Sequence, residues 1–408
     1  MFRKSKFYRR KGMKKTDLVH LIKKRTEEQN EQLLIFCRDL LRIKSYTFEE
    51  ETAVKRVIEE MEKLNYDNAY IDEFGNAIGV IGNGPDVILF DGHIDTVHEG
   101  DISKWNVDPF GAEVKNGNLY GLGASDMKVP GAVMVYAAAI MKELHLDQGK
   151  TIVVSFSVME EDMDGVALDN ILTYSGYKPR AVVICEATDL RLCHGHGGRS
   201  MFRVTMPGIP THCSRPEDGV NAVYEMQEII GRVAKLSDGL LAQERKNGTI
   251  ALSKIESASA SLNAVPYSCS IYLDRRTTSH LTPRLQFEEM DRLVAGTNAT
   301  WEVVDIQHKT WSGYDAVMHS VLPAFDLEED HELVAAAKEA YRELFDEEVE
   351  NFRFKGTTNG VSSAGKHKIP TIVFGAGVEN MCHEANEYCP LEHLEKACAF
   401  YVKLVANL

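Results

Sequence analysis

From about residue 14 to residue 64, apolar side chains return every three or four positions, as at Leu33, Leu34, Phe36, Cys37, Leu40 and Leu41. That period collects them on one face of a helix. The pattern then changes to short runs that are apolar at almost every position, NAIGVIG, DVILFDG, TIVVSFSVM and AVVICEA, with the helical GAVMVYAAAIMKEL among them. A strand apolar on both of its alternating sides needs cover on both faces, so these runs predict a sheet buried between helices. Their alternation with helical segments predicts βαβ units and an α/β domain.

After Gly197 the character shifts. SMFRVTMPG reads as a half-exposed strand, GVNAVYEMQEIIGRVAKL as an amphipathic helix, and SCSIYLDRRTT and TWEVVDIQ as further strands around the helix RLQFEEMDRLV. This βαββαβ-like set predicts a small α+β layer. From EDHELVAAAKEAYRELF through IPTIVFGAG to a terminal helix, the first pattern resumes, so the smaller layer is expected as an insertion. The expected division is a basic, poorly ordered tail over 1–16, the first part of the α/β domain over 17–197, the inserted α+β domain over 198–312 and the second part over 313–408.

Composition narrows the classes of function. At 408 residues and 44% apolar, the chain is globular and too long for one ordinary core. A net charge of -15 argues against nucleic acid or an anionic membrane as the main partner, because phosphate binding needs a concentrated basic face. No apolar run approaches the length that spans a bilayer. The opening MFRKSKFYRRKGMKK carries eight basic residues and no acid, and reads as a solvated tail or as sequence upstream of a start at Met13. Eight cysteines without C-x-x-C spacing suit reduced thiols and a cytoplasmic location better than a disulfide framework.

The chemistry gathers where apolar runs end. LFDGHIDTV, Leu89 to Val97, sets Asp91, His93 and Asp95 directly after a buried strand, where charge is unfavourable without a partner. Either Asp91 caps a turn while His93 and Asp95 bond each other, or His93 binds a metal with Asp95 fixing its ring. Asp126 in GLGASDMKVPG, Glu160 and Glu161 in VSFSVMEED, Glu186 in VVICEAT and His383 in FGAGVENMCHEANE occupy similar positions. In an open α/β sheet the ligand site lies beyond the carboxyl ends of the strands, so all five segments can reach one rim. Adjacent glutamates repel, and one stays protonated unless a cation lies close. Two histidines with three carboxylates suit a pair of zinc-like ions and leave one carboxylate free as a base.

These motifs, together with WNVDPFGAEVKNGNLYGLGASDMK, PTHCSRPEDGVNAV and NAVPYSCSIYLDRR in the same order, resemble the di-zinc amidohydrolase and exopeptidase family. That family includes aminoacylase, acetylornithine deacetylase, succinyl-diaminopimelate desuccinylase and glutamate carboxypeptidase, and the resemblance runs from about Leu18 to the C-terminus. It implies a zinc-exopeptidase-like catalytic domain with an inserted lid and dimerisation domain, and two divalent metal ions, zinc first, with cobalt or manganese possible. Asp126 would bridge the ions, preceding a cis peptide to Met127. His93 and Glu186 would complete one shell and Glu161 and His383 the other, while Asp95 orients His93. Glu160 would be the general base for hydrolysis of an amide or peptide bond in a small carboxylate-bearing substrate.

The resemblance further makes His212 a donor to the substrate carbonyl, contributed by the second subunit of a homodimer, where the residues alone suggest a turn histidine bonded to Ser214. Arg276 and Asn263 would hold the substrate, with Arg275 the alternative because only one of two adjacent strand residues faces the cleft. In GTTNGVSSAG, Asn359 stands where many members carry an acid, so it is expected to alter specificity in the substrate pocket. Ser125 and Cys185 adjoin the expected ligands without a base at family-typical spacing, which disfavours nucleophilic catalysis. Competing readings are a tripeptide aminopeptidase and a non-catalytic metal-binding protein on this fold. The unligated Glu160 argues against the second.

Overall fold

Along the strand Asp86–His93, Ile88 and Phe90 enter one hydrophobic cluster and Leu89 enters another. Its neighbour Lys150–Ser157 repeats this, with Ile152, Val154 and Phe156 on one side and Val153 on the other. In Ala181–Ile184, Val183 faces the first cluster while Val182 and Ile184 face the second. The side-chain period of two thus divides each apolar run between two cores. Helices Lys15–Arg42, Lys128–Glu143 and Leu391–Asn407 supply the first cluster, and Val166–Tyr174 contributes Leu168, Ile171 and Leu172 to the second. This is the both-face cover that the apolar runs predict.

The computed structural model describes residues 15–244, 246–354 and 356–408. The basic stretch 1–14, with Met13 and nearly all of the expected tail over 1–16, lies outside the described residues, which open with the helix Lys15–Arg42. Among the described residues the large sheet has nine strands. Its centre is parallel: Lys150–Ser157, Asp86–His93, Ala181–Ile184 and Thr371–Val373 lie side by side in that order. Ala77–Gly82 is antiparallel to one flank, and Leu192–His196 pairs antiparallel with Thr371–Val373 on the other. The sheet is therefore mixed and flanked by helices, as the resemblance implies. Because the central strands run the same way, their carboxyl ends share one edge.

A second, antiparallel sheet holds Thr249–Ala258, Ser268–Thr277, Gly198–Pro207 and Thr300–Val303 in that order. Helices Ala222–Ala242 and Pro283–Val294 pack on it through Met226, Ile229, Met290 and Leu293. Side chains start both helices: Asn221 accepts from the Val223 N–H at 3.0 Å, and Thr282 caps the segment that opens with Pro283. The strand Thr249–Ala258 is absent from the apolar pattern because most of its length is exposed, which leaves no apolar alternation to read.

The expected boundary at 312/313 does not hold. TWEVVDIQ is broken after Val303, and Asp305–Lys309 pairs instead with Asp315–His319 in a hairpin whose turn contains residues 312 and 313. Ala316 and Met318 are buried in the large core, and Ile306 and Trp311 pack against it. The hairpin tip is tied down by bonds from Trp311 Nε1 to the Gly75 carbonyl, 3.1 Å, and from Ser312 Oγ to the Glu73 carbonyl, 2.9 Å. His308 stacks on Phe48 with ring centroids 4.3 Å apart. A hairpin held by another domain's core cannot be divided at its turn by a domain boundary.

Gly75 is shaped for this contact. Its φ is +103°, and a Cβ there would lie 2.6 Å from Trp311 Nε1. Gly75→Ala is expected to lower stability by about 1–3 kcal/mol, through backbone strain and displacement of the indole. A fall in the urea unfolding midpoint checks this, and an unchanged midpoint counts against the docked hairpin.

Candidate metal centre

The shared carboxyl edge carries the residues that the sequence singles out. His93 ends its strand opposite Ser157, and the chain continues from Ser157 through Val158 and Met159 to Glu160 and Glu161. Glu186 follows Ala181–Ile184, and the segment after Thr371–Val373 leads to His383. Met159 at φ 55° and His383 at φ 62° adopt the left-handed backbone that non-glycine residues rarely use, a form of strain that gathers at functional sites. The Asp126–Met127 peptide is cis.

Asp126 lies between the two histidines. Its Oδ1 is 3.0 Å from His93 Nε2 and its Oδ2 is 3.2 Å from His383 Nε2. Glu186 Oε1 lies 3.6 Å and Glu160 Oε2 3.9 Å from His93 Nε2, and Glu161 Oε2 lies 2.8 Å from His383 Nε2. Donor atoms of His93, Asp126 and Glu161 fall within 4.8 Å of one another, as do those of His93, Glu160 and Glu186. His383 belongs to neither triad, but its Nε2 touches Glu161 and Asp126 directly.

Four carboxyl groups here meet two imidazoles, and the electrostatics record the imbalance. Burial, with the charge of Asp126, raises Glu161 to about 7 against the pull of the histidines. Burial raises Glu186 to about 8, with Asp126, Glu161 and Asp91 adding repulsion. Glu160 is driven far above the carboxylate range by burial and by Asp164, Glu186 and Glu161. Although burial pushes Asp126 upward, hydrogen bonds with His383 and His93 hold it far below its usual value. Hydrogen bonds with Asp126 and Glu161 lift His383 to about 11. Glu161 Oε1 is buried with no hydrogen-bond partner. An unpartnered carboxylate oxygen beside imidazole nitrogens and further carboxylates is the donor set that divalent ions satisfy, so these residues fit a metal centre.

Asp95 contacts both His93 and the glutamate loop. His93 Nδ1 lies 2.9 Å from the Asp95 backbone carbonyl, whereas the nearer carboxylate oxygen is 3.5 Å away. The carboxylate also accepts from the Glu160 N–H at 3.0 Å, the Glu161 N–H at 3.1 Å and the Thr47 hydroxyl at 2.9 Å. It holds the loop that carries the paired glutamates.

Two acids escaped the sequence reading. Glu387, 1% exposed, accepts from the N–H groups of Ser125 at 2.6 Å, Asp126 at 2.8 Å and Gly123 at 2.9 Å. Glu50, fully buried, accepts from the N–H groups of Phe48 and Met159, each at 2.9 Å. Glu387 lies in CHEANE, where its spacing after His383 was the available signal, while Glu50 sits in a polar stretch that offers none.

A cavity of about 300 Å³ opens over the cluster, lined by Asp126, Glu160, Glu161, Glu186 and His383 and, from the smaller sheet, by Arg199 and Arg276. Arg275 points the other way. It is 1% exposed, pairs with Glu289 through Nε at 2.8 Å and bonds the carbonyls of Asn247, Thr249 and Arg276. His212 and Asn263 do not line this cavity. Both are exposed on adjacent loops of the smaller sheet, where His212 Nδ1 is 2.7 Å from Ser214 Oγ and the Cys213 N–H donates to the Asn263 carbonyl.

The expectation for Asn359 is also corrected. It is 2% exposed, donates to Asp91 Oδ2 and Ser157 Oγ at 2.8 Å each, and accepts from the Gly165 N–H at 2.8 Å. With both arms of its amide engaged in the core, it has none to offer a substrate. Asp91 is no turn cap either, for it lies within the strand and also accepts from Ser155 Oγ at 2.5 Å.

Comparison with known proteins agrees with this geometry. The model of peptidase family M20/M25/M40 matches residues 89–407. The chain is 36% identical over 387 residues, 94% of its own length and 96% of the relative's, to a protein of Escherichia coli (strain K12) named "Uncharacterized protein YgeY". It is 25% identical to acetylornithine deacetylase of Proteus mirabilis (strain HI4320) over 340 residues, 81% of this chain and 82% of that one. Its fold matches the M20 family metallo-carboxypeptidase Sso-CP2 from Sulfolobus solfataricus with a TM-score of 0.70 at 17% identity, over 92% of this chain and 98% of the other. A family match across most of the chain, over a rim of convergent histidines and carboxylates, makes this protein a member of peptidase family M20/M25/M40 and a metal-dependent hydrolase of amide or peptide bonds.

Proposed function

We propose that the cleft holds two divalent ions and removes an acyl group from, or cleaves the peptide bond of, a small substrate with a free carboxylate. Asp126 would be shared between them, with His93 and Glu186 holding one and Glu161 and His383 the other. The observation that carries this reading is that Asp126 turns one oxygen to each histidine. Bound there, the ions supply Lewis acidity that makes water acidic near neutral pH and polarises the scissile carbonyl. Zinc suits imidazole and carboxylate donors, and the same set accepts cobalt or manganese.

Glu160 is the base. The residue is 7% exposed and lines the cavity, where its carboxylate takes the water's proton and returns it to the departing nitrogen. Asp95 fixes the backbone of Glu160 and Glu161, and Glu387 fixes that of Asp126, so the reacting groups are held before substrate arrives. Arg276 meets the substrate carboxylate from the smaller sheet. His212 and Asn263 reach the site from a second copy in a homodimer, whose contact surface includes Tyr224 and Leu262, both exposed large hydrophobics of the inserted layer. The eight cysteines are free thiols, which suits a cytoplasmic protein. Deacylation of an N-acyl amino acid is favoured over peptide cleavage by the likeness to acetylornithine deacetylase.

The adjacent glutamates are expected to differ. Glu160→Gln should keep the parent's metal content and lower turnover by about a hundredfold to ten-thousandfold. Glu161→Gln should lose an ion. Elemental analysis beside an assay on N-acyl amino acids separates the two, and the opposite pattern reverses the assignment.

Glu387→Gln should weaken metal binding by about 10–100-fold, because an amide turns N–H against N–H in a site with backbone donors on both oxygens. Calorimetric metal titration reads this directly. For the dimer, His212→Ala and Glu160→Gln should each be nearly inactive alone. Mixed after reversible dissociation, they should recover about a quarter of the parental activity, since half the random dimers then carry one complete site. No recovery, with mixed dimers demonstrated, would place His212 outside catalysis across the interface.

A further inference from the structure

Arg199 and Arg276 stand directly opposite each other on antiparallel strands, in register on the strands Gly198–Pro207 and Ser268–Thr277. Both line the cavity over the carboxylate cluster. Like charges directly opposite in a sheet destabilise it, so such a pair needs counter-charge. Asp274, two residues before Arg276 and therefore on the same face, provides some: its Oδ2 accepts from Arg199 Nε at 3.0 Å and its Oδ1 from Arg276 Nε at 2.8 Å. One carboxylate thus pins two guanidiniums by their inner edges. Among the described residues, no other carboxylate lies within ion-pair distance of either arginine.

Arg275 provides the contrast. It is a structural arginine, buried and engaged by Glu289 and three carbonyls. Arg199 keeps its side chain 31% exposed and Arg276 46%, and they carry more free N–H donors than a single carboxylate has lone pairs to accept. Cross-strand neighbours hold their Cβ atoms about 5 Å apart, a spacing close to that of the two carboxylates of an amino dicarboxylic acid.

We propose that Arg199 is a second anion-recognition residue beside Arg276, and that the preferred leaving group is an amino acid bearing two carboxylates. The inference rests on the hydrolase reading above and names its substrate class. Because both arginines share one wall, both anions belong to the same fragment of the substrate, with the α-carboxylate on Arg276 and the side-chain carboxylate on Arg199. Asp274 positions the pair and touches no substrate.

The test compares N-acetyl-L-glutamate and N-acetyl-L-aspartate with N-acetyl-L-glutamine, N-acetyl-L-leucine and N-succinyl-L-leucine on the metal-loaded protein. The expected kcat/KM for the glutamate compound exceeds that for its glutamine isostere by about tenfold or more, the size of a lost charge-assisted hydrogen bond. Arg199→Ala should bring that ratio toward one by slowing the acid most, Arg199→Lys should restore part of it, and Arg276→Ala should slow every substrate. A parent protein that prefers glutamine, leucine or the N-succinyl compound overturns the proposal without any variant. So does an Arg199→Ala variant that slows acid and amide equally. Calorimetry of free L-glutamate against L-glutamine, on the parent and on Arg199→Ala, measures the same preference without turnover. If none of these N-acyl compounds is cleaved, the deacylase reading fails, while the binding difference still decides the role of Arg199.

Discussion

Negative charge concentrated at one buried edge is the constraint on which the rest of this structure depends. Four carboxyl groups surround two imidazoles, and behind them stands a further layer of acids, Asp95, Glu50 and Glu387, with hardly any exposure to water. Each rear acid accepts backbone N–H groups from a loop that carries front acids. Asp95 takes those of Glu160 and Glu161, Glu50 that of Met159, and Glu387 those of Ser125 and Asp126. Backbone donors hold a carboxylate without adding a full positive charge, so the loops are fixed while the negative field is kept. A protein with no cation to bind would gain nothing from such stacking of like charge.

The parallel centre of the large sheet is what makes the convergence possible. Four adjacent strands end at one edge, and each passes directly into a loop bearing a histidine or an acid. The antiparallel flanks add cover without adding ligands. The smaller sheet then supplies what this edge lacks, cationic side chains, and Arg199 and Arg276 bring them to the cavity from the other side. In the proposed reading, recognition of charge and bond-breaking chemistry come from different layers, and the hairpin docked on Gly75 and Phe48 ties the connection between them to the large core.

The network around Asn359 shows how a residue near a site can serve it without facing substrate. Its amide joins Asp91 in the strand of His93, Ser157 in the strand leading to Glu160, and the N–H of Gly165 beyond Glu161. An acid at 359 would press a second carboxylate against Asp91, which burial already raises to about 6. The neutral amide avoids this and donates as well. Asn359 is therefore matched to Asp91 of the strand Asp86–His93, within the core.

What the sequence alone determined is what local pattern encodes. Runs apolar on both faces specify a sheet between helices, and strand ends followed by His93, Glu160, Glu161 and Glu186 specify one chemical edge, because strand direction and the side-chain period are properties of the backbone. The small α+β layer was legible down to its start at Gly198, although its exposed strand Thr249–Ala258 was not. What only the tertiary structure decided depends on partners distant along the chain. The carboxylate of Asp95 turns to the glutamate loop, Asn359 turns to Asp91, Arg275 is buried on Glu289 while Arg276 faces the cavity, and the segment after Val303 leaves its sheet for a hairpin on the other domain. In each case two placements were locally equivalent, and the choice was made by a hydrogen bond or a packed ring contributed by a residue that no local pattern could connect to it.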